Sequence, residues 1–135
     1  MVKLGYTITY VADVEKALAF FENAFGIARR FRTPENSYGE LETGETTLAF
    51  ASHELGQSNL SAGYISASDS DKPLGTEIAL VSEDVQSTHA SAIKAGGMEL
   101  EAPKKKPRGQ TVSYIRCPSG ILIELCTPVG GSSGS

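Results

Sequence analysis

The sequence has no tryptophan, only two cysteines and few aromatic residues of any kind, 7% in all. Two cysteines without a secretory leader are typical of a reducing compartment, so we expect a cytoplasmic protein that folds without disulfides. No apolar run approaches the ~18–20 residues that a transmembrane helix needs. Residues 1–5 lack the charged-then-apolar order of a signal peptide. We therefore expect no contact with a membrane.

The sequence also has no excess of basic residues. Twelve Lys and Arg stand against 16 Asp and Glu, for a net charge of −4. The one basic run, the predicted loop at residues 104–110, contains no aromatic residue that could stack on a base. We expect no nucleic-acid partner. What remains is ordinary: 135 residues, 40% hydrophobic and 21% charged, which is the size and composition of one globular domain.

One pattern occurs twice along the chain. Residues 5–11 are β-branched and aromatic, as in a strand, and Asp13 is a candidate N-cap for a helix over 14–25 that ends at Gly26. Short strands are predicted at 28–32, 38–42 and 46–51. The second half predicts a strand at 76–81, a helix at 85–95 after Asp84, and strands at 98–101, 111–116 and 121–126.

A constant shift takes Tyr6 to Glu77, Asp13 to Asp84 and Gly26 to Gly97. A βαβββ unit used twice explains this agreement of strand, cap and helix end. The prediction is an α+β fold in a single domain over 1–128, with module 1 at about 1–55, a connection at about 56–74 and module 2 at about 75–128. Residues 52–75 could carry a short strand, a lid or a dimer contact. We predict a flexible Gly/Ser tail, added in cloning, at 129–135.

These stretches resemble the vicinal oxygen chelate superfamily, which contains glyoxalase I, bleomycin-resistance proteins and extradiol dioxygenases. The matching parts are residues 6–26 with the Val-x-Asp and Phe-Gly elements, residues 77–97, and residues 114–125 with the Pro-Ser-Gly turn and the Ile-Glu-Leu strand. The resemblance implies two βαβββ modules whose sheets curl around a cavity, in a homodimer with shared cavities.

In the metal-using members, four inward side chains bind a divalent ion. The resemblance places those positions at Tyr6, Ala49, Glu77 and Glu124, where the family has mostly His and Glu. Ala49 has no ligand atom, and a neutral phenol such as that of Tyr6 is a poor ligand for a divalent ion. The predicted metal site is therefore incomplete, and no cofactor is expected. The alternative is one divalent cation held weakly by Glu77 and Glu124.

The alternation of side chains along each strand predicts which way these residues point, independently of the resemblance. The aliphatic faces of the strands should pack on the helices, which turns Glu77 and Glu124 to the other side. Tyr6, Ile8 and Tyr10 would line the same cavity from the first half. Two unpaired carboxylates in a cavity are costly, and a metal ion, a cationic ligand, a protein cation or shared protonation would relieve them. The alternative is that both acids are solvated at an open cavity mouth. The predicted ligand is amphipathic or cationic, held by carboxylates and aromatic rings.

Other candidates are weaker. The basic loop could bring Arg108 and Gln110 over the cavity, although such a run is usually solvated surface. His89 occupies the helix position that matches Leu18 and is expected in packing rather than as a ligand. No Ser-His-Asp arrangement can be assembled from spacing. Cys117 and Cys126 are expected to be free thiols.

Two functions follow. The first is a small-molecule-binding protein of the bleomycin-resistance kind, which sequesters its ligand without chemistry. Its expected ligand-binding residues include Tyr6, Ile8, Tyr10, Ala49, Glu77, Glu124, Arg108 and Gln110. The alternative is a metal-dependent lyase, isomerase or dioxygenase of the glyoxalase kind, in which Glu124 would be the catalytic residue or a metal ligand. The incomplete ligand set favours the first.

Overall fold

A computed structural model describes residues 1–129, so the predicted Gly/Ser tail lies almost wholly outside the described residues. Module 1 contains β1 (Tyr6–Val11), α1 (Val14–Phe25), β2 (Arg29–Arg32), β3 (Tyr38–Leu41) and β4 (Thr47–Ser52). The connection carries α2 (His53–Asn59) and a 3-10 turn (Ala67–Asp69). Module 2 contains β5 (Glu77–Val81), α3 (Val85–Lys94), β6 (Met98–Lys105), β7 (Thr111–Arg116) and β8 (Leu122–Cys126).

The strands form two four-stranded sheets, in the orders β1-β4-β3-β2 and β5-β8-β7-β6. The predicted α+β fold of two βαβββ modules is confirmed, with a curled sheet that does not close. Each module pairs its first and last strands in parallel, and the registers are equivalent: Ala49 lies opposite Ile8, and Glu124 lies opposite Ala79. The internal repeat thus extends to individual strand partners.

The two long helices begin and end where capping chemistry predicts. The Asp13 carboxylate accepts a hydrogen bond from the backbone N–H of Lys16, and Asp84 accepts one from Ser87, which satisfies an otherwise free donor in the first turn. Gly26 ends α1 in the left-handed conformation, with φ 69°, which glycine adopts without the strain of a side chain. These two helices fix the orientation of each module.

One core joins the two modules, because α1 and α3 pack against each other. Leu18 and Phe21 on α1 are fully buried, as are Phe50 of β4 and Leu125 of β8. Since neighbours along a strand point to opposite faces, burial of Phe50 and Leu125 turns Ala49 and Glu124 away from the helices. We call the two sheet surfaces that carry Ala49 and Glu124 the first and second open faces.

Two elements differ from the prediction. Residues 53–59 form a helix, where the sequence suggested only a connection. Strand β6 extends to Lys105, so Lys104 and Lys105 are strand residues and the predicted basic loop shrinks to a turn at 106–110. Pro103 is tolerated inside β6 because this strand lies at the edge of its sheet. No helix within residues 1–129 is long and apolar enough to cross a membrane.

Candidate functional site

The first open face carries the aromatic residues predicted for the site. Tyr6, Ile8 and Tyr10 of β1 are in register with Thr47, Ala49 and Ala51 of β4. In a parallel pair such partners share a face, so the predicted grouping of Tyr6 and Ile8 around Ala49 is present. Tyr6 is 56% exposed and Ile8 46% exposed, which leaves both available to a ligand or to another chain.

An ion-pair network covers the middle of the first open face. Glu40 of β3 lies opposite Ala49 and is only 8% exposed. Its carboxylate accepts hydrogen bonds from Arg30 Nη1 at 2.9 Å and from the Tyr38 hydroxyl at 2.7 Å. Arg30 also donates to Glu42 at 2.8 Å and to Thr47 at 3.2 Å. The one carboxylate beside Ala49 is therefore already neutralised by a guanidinium.

This network shifts the titration of its members. Burial, followed by the hydrogen bond to Glu40, raises the pKa of the Tyr38 phenol. Hydrogen bonds from Arg30 lower the pKa of Glu42, and the same bonds raise that of Arg30. Tyr38 therefore stays neutral, and the ion pairs persist over the physiological pH range.

The second open face holds two carboxyl groups that no cation among residues 1–129 pairs with. Glu77 of β5 and Glu124 of β8 lie on this face, and Tyr114 of β7 lies directly opposite Glu124. Hydrogen bonding with Glu124, together with burial and the like charge, raises the pKa of Glu77 to about 7. Glu77 is consequently partly protonated near neutrality. Burial and then the Glu124 charge raise the pKa of the Tyr114 phenol.

The structure does not join all the predicted site residues. Within residues 1–129, no hydrogen bond or ion pair links Tyr6 to Glu77 or Glu124. Tyr10 lies against the connection, where its ring centroid is 4.9 Å from that of Tyr64. Arg108 is exposed in the turn between β6 and β7. The side-chain amide of Gln110 donates to the Thr127 carbonyl at 2.7 Å. Tyr6 and Ile8 thus belong to one face, and Glu77 and Glu124 to the other.

The donor set does not fit a metal ion. Within the described chain no three His, Cys, Asp or Glu side chains are grouped so that they could hold one. Ala49 contributes no ligand atom, and Glu40 opposite it is held by Arg30. Glu77 and Glu124 supply only two ligating side chains, and the raised pKa of Glu77 opposes metal binding, because metal ligands must be deprotonated.

Sequence reasoning missed Arg30, Tyr38, Glu40 and Tyr114. Alternation within the short strands at 28–32 and 38–42 places Arg30 and Glu40 on the face away from the helix, but their contact depends on a bulge in the pairing of β2 with β3. Tyr114 could have been found by pairing outward from the Pro118-Ser119-Gly120 turn, which sets the register of β7 against β8.

The core contains a Ser-His-Glu series of hydrogen bonds that spacing did not reveal. His89 Nδ1 lies 2.9 Å from Ser113 Oγ, and its Nε2 lies 2.8 Å from Glu99. Ser113 is 0% exposed, so no substrate reaches its hydroxyl, and the series is structural. His89 belongs to the helix–sheet packing, as expected from its position. Cys117 and Cys126 are both free and buried.

Solved structures of similar shape agree with this architecture. A glyoxalase-related enzyme from Fulvimarina pelagi superposes with a TM-score of 0.80 at 20% identity, over 100% of this chain and 96% of that one. The hypothetical protein SA1046 from S. aureus gives a TM-score of 0.77 at 20% identity, over 95% of both chains. TioX from Micromonospora sp. ML1 gives 0.68 at 16% identity, over 93% of this chain and 98% of that one.

At these identities the likeness establishes the fold alone. No protein with a curated description matches the sequence. The sequence model of one family, however, matches residues 3–125, which is nearly the whole of the described chain. The chain belongs to the Glyoxalase/Bleomycin resistance protein/Dioxygenase superfamily.

Proposed function

We propose that this chain is a small-molecule-binding protein of the bleomycin-resistance kind, which holds an amphipathic, cationic aromatic ligand. The observation that carries the proposal is the Glu77–Glu124 pair beside Tyr114 on the second open face. A cationic ligand displaces the proton of Glu77 and pairs with the carboxylates, while the phenol ring of Tyr114 contacts its aromatic part. Sequestration needs no chemical step.

The proposed binding unit is a homodimer. Tyr6 and Ile8 on one open face, and Val81 and Met98 on the other module, are large apolar or aromatic side chains exposed by 46 to 66%. In a second copy, the second open face would lie against the first open face of its partner. That arrangement would place Tyr6 near Glu77 and Glu124 and enclose a cavity between subunits. Analytical ultracentrifugation tests it directly: a monomer at micromolar concentration would contradict it.

The metal-dependent lyase, isomerase or dioxygenase remains the second candidate. It is favoured only by the two adjacent carboxyl groups of Glu77 and Glu124, and it requires a ligand at position 49, where Ala49 has no ligand atom. Zinc, nickel and manganese titrations of protein purified without chelator separate the candidates. One tightly held ion per subunit would contradict the binding-protein proposal.

Three naphthalene probes of one size but different charge test the ligand chemistry: 2-naphthylmethylammonium, 2-naphthol and 2-naphthoate. We expect the cation to bind the acidic face most tightly. Glu124→Gln should weaken its affinity about tenfold, which corresponds to ~1.4 kcal/mol. Isothermal titration calorimetry measures the change.

Glu83→Gln is the matched control, because Glu83 is exposed and lies beyond the end of β5. It removes one carboxylate away from the open face and should leave the affinity of the cation within twofold. If both variants lost the same affinity for the cation, net charge alone would account for the binding. If Glu124→Gln left that affinity unchanged, Glu124 would not contact the ligand.

A further inference from the structure

A pocket lies between the two modules, apart from the acidic open face. Its volume is about 360 Å³, which falls within the ~300–1,000 Å³ of small-molecule sites. Strand β1 bounds it on one side and the beginnings of β5 and β8 on the other, with residues 64–67 and 74 of the connection over it. None of the four positions that match the family's metal ligands lines it.

The lining of this inter-module pocket carries no charge. Among residues 1–129, no Asp, Glu, Lys, Arg or His side chain contributes to it. Its apolar walls come chiefly from Ile8, Ile65, Leu74, Ile78 and Ile121, and its polar side chains are the hydroxyls of Thr, Ser and Tyr residues. A charged ligand would lose its hydration there without gaining a counter-charge, which is costly. The chemistry of the pocket therefore selects neutral molecules.

One wall is aromatic. Tyr10 and Tyr64 both line the pocket, and their ring centroids lie 4.9 Å apart with an interplanar angle of 36°. Paired aromatic rings offer flat, polarisable surface against which another ring stacks or packs edge-on. The wall matches a ligand that is itself aromatic.

Helix α2 holds this aromatic wall from behind. The Tyr64 hydroxyl lies 2.7 Å from His53 Nδ1, so its hydrogen-bonding capacity is partly used outside the pocket. Gly56 is buried against both rings, and a Cβ there would lie 2.6 Å from Tyr64 Oη and 2.8 Å from Tyr10 Cγ. The absence of a side chain at Gly56 permits this close packing, which fixes the rings before a ligand binds.

The cover of the pocket is fixed as well. Arg116 Nη2 donates to the carbonyl oxygens of Ala67 at 2.8 Å and Ser70 at 2.9 Å, and Nε donates to Gly120 at 3.2 Å. These charge-assisted bonds tie the connection to the end of β7. The pocket is thus formed by elements that are anchored on every side.

We propose that the inter-module pocket is a second ligand site, for a neutral one- or two-ring aromatic molecule that carries a single hydroxyl or carbonyl group. Its apolar body packs between Ile78 and the Tyr10–Tyr64 wall, and its polar group bonds to the hydroxyls of the lining. This site does not depend on Glu77 or Glu124, so it stands or falls separately from the proposed function.

The same naphthalene series tests the proposal with the full chain. We expect 2-naphthol to bind at least tenfold more tightly than 2-naphthoate or 2-naphthylmethylammonium once Glu77→Gln and Glu124→Gln have removed the acidic site for the cation. Leu74→Trp fills the pocket and should weaken 2-naphthol at least tenfold. Leu60→Trp is the control, since Leu60 is exposed to a similar degree, 47% against 42% for Leu74, and does not line the pocket.

Isothermal titration calorimetry gives the affinities, and circular dichroism checks that each variant is folded. Gly56→Ala offers an independent route, because it displaces the aromatic wall without entering the pocket; it should also weaken 2-naphthol. Equal affinity for the three probes, no binding of 2-naphthol, or an equal effect of the two tryptophan variants would each overturn the proposal.

Discussion

The two modules share one strand register but differ where the helix meets the third strand. In module 1, Leu18 packs over Gly39, and a Cβ at Gly39 would lie 2.7 Å from Leu18 Cδ1. At the equivalent place in module 2, His89 bonds to Ser113. One module fills the contact with an apolar side chain over a glycine, and the other with a buried hydrogen bond. The same backbone therefore accommodates either contact, provided that the helix residue and the strand residue change together.

The open faces show a parallel contrast. Module 1 pairs its buried carboxylate, Glu40, with Arg30, whereas in module 2 no cation of the described chain pairs with Glu77 and Glu124, and the pKa of Glu77 is raised. A carboxylate paired within its own sheet is structural, whereas unpaired carboxylates beside an aromatic ring can receive a charge from outside. The ligand is therefore expected on the open face of module 2 rather than on that of module 1.

Leu18→Ala should produce the largest effect. Leu18 is fully buried, and truncation of a buried leucine costs ~2–5 kcal/mol through lost burial and a residual cavity. Urea denaturation monitored by circular dichroism measures the loss. A loss below that of His89→Leu would contradict the interpretation that the apolar contact carries more of the stability.

His89→Leu should cost less, ~1–3 kcal/mol, chiefly because the buried Ser113 hydroxyl is left without its partner. The double variant His89→Leu, Ser113→Ala imitates the apolar solution of module 1 and should recover part of the loss, since removal of both partners is cheaper than removal of one. A double variant no more stable than the single one would show that shape, not the hydrogen bond, fixes this contact.

The smallest effect concerns pH. The pKa of Glu77 is raised from 4.5 to about 7 in the folded protein, so the folded state binds this proton more tightly than the unfolded state does. The stabilising contribution is complete below pH 4.5 and is lost as the pH rises to about 7. Carbon-13 NMR should show a Glu77 titration near 7 that moves toward 4.5 in Glu124→Gln. A midpoint that does not move would mean that Glu124 is not the cause.

Local signals were enough for most of the fold. Asp13, Asp84 and Gly26 marked helix ends because caps act through their immediate neighbours, and the repeat put Ala49 and Glu124 at equivalent positions. Helix α2 was missed, although Ser52 caps it by accepting from the N–H of Leu55, because its short polar sequence has no apolar periodicity. A seven-residue helix depends on tertiary packing, here of Gly56 on Tyr10 and Tyr64.

The site was harder to predict than the fold. Alternation correctly turned Glu77 and Glu124 away from the helices, but it contains no information about side chains that meet across bulged strands, such as Arg30 and Glu40. The inter-module pocket depends on the path of residues 64–67 over β1, which Arg116 fixes from a distant part of the sequence. Contacts of this kind are set by the whole chain and leave no local pattern.

The Arg116 anchor also divides the connection between the two modules. Because Arg116 binds the chain at residues 67–70, the later part of the connection is held to module 2. Its earlier part is held to module 1, where the ring of Tyr64 lies 4.9 Å from that of Tyr10 on β1. Residues 61–63 are exposed and come before both attachments, so an insertion there should lengthen a surface loop and leave the spacing of the modules unchanged.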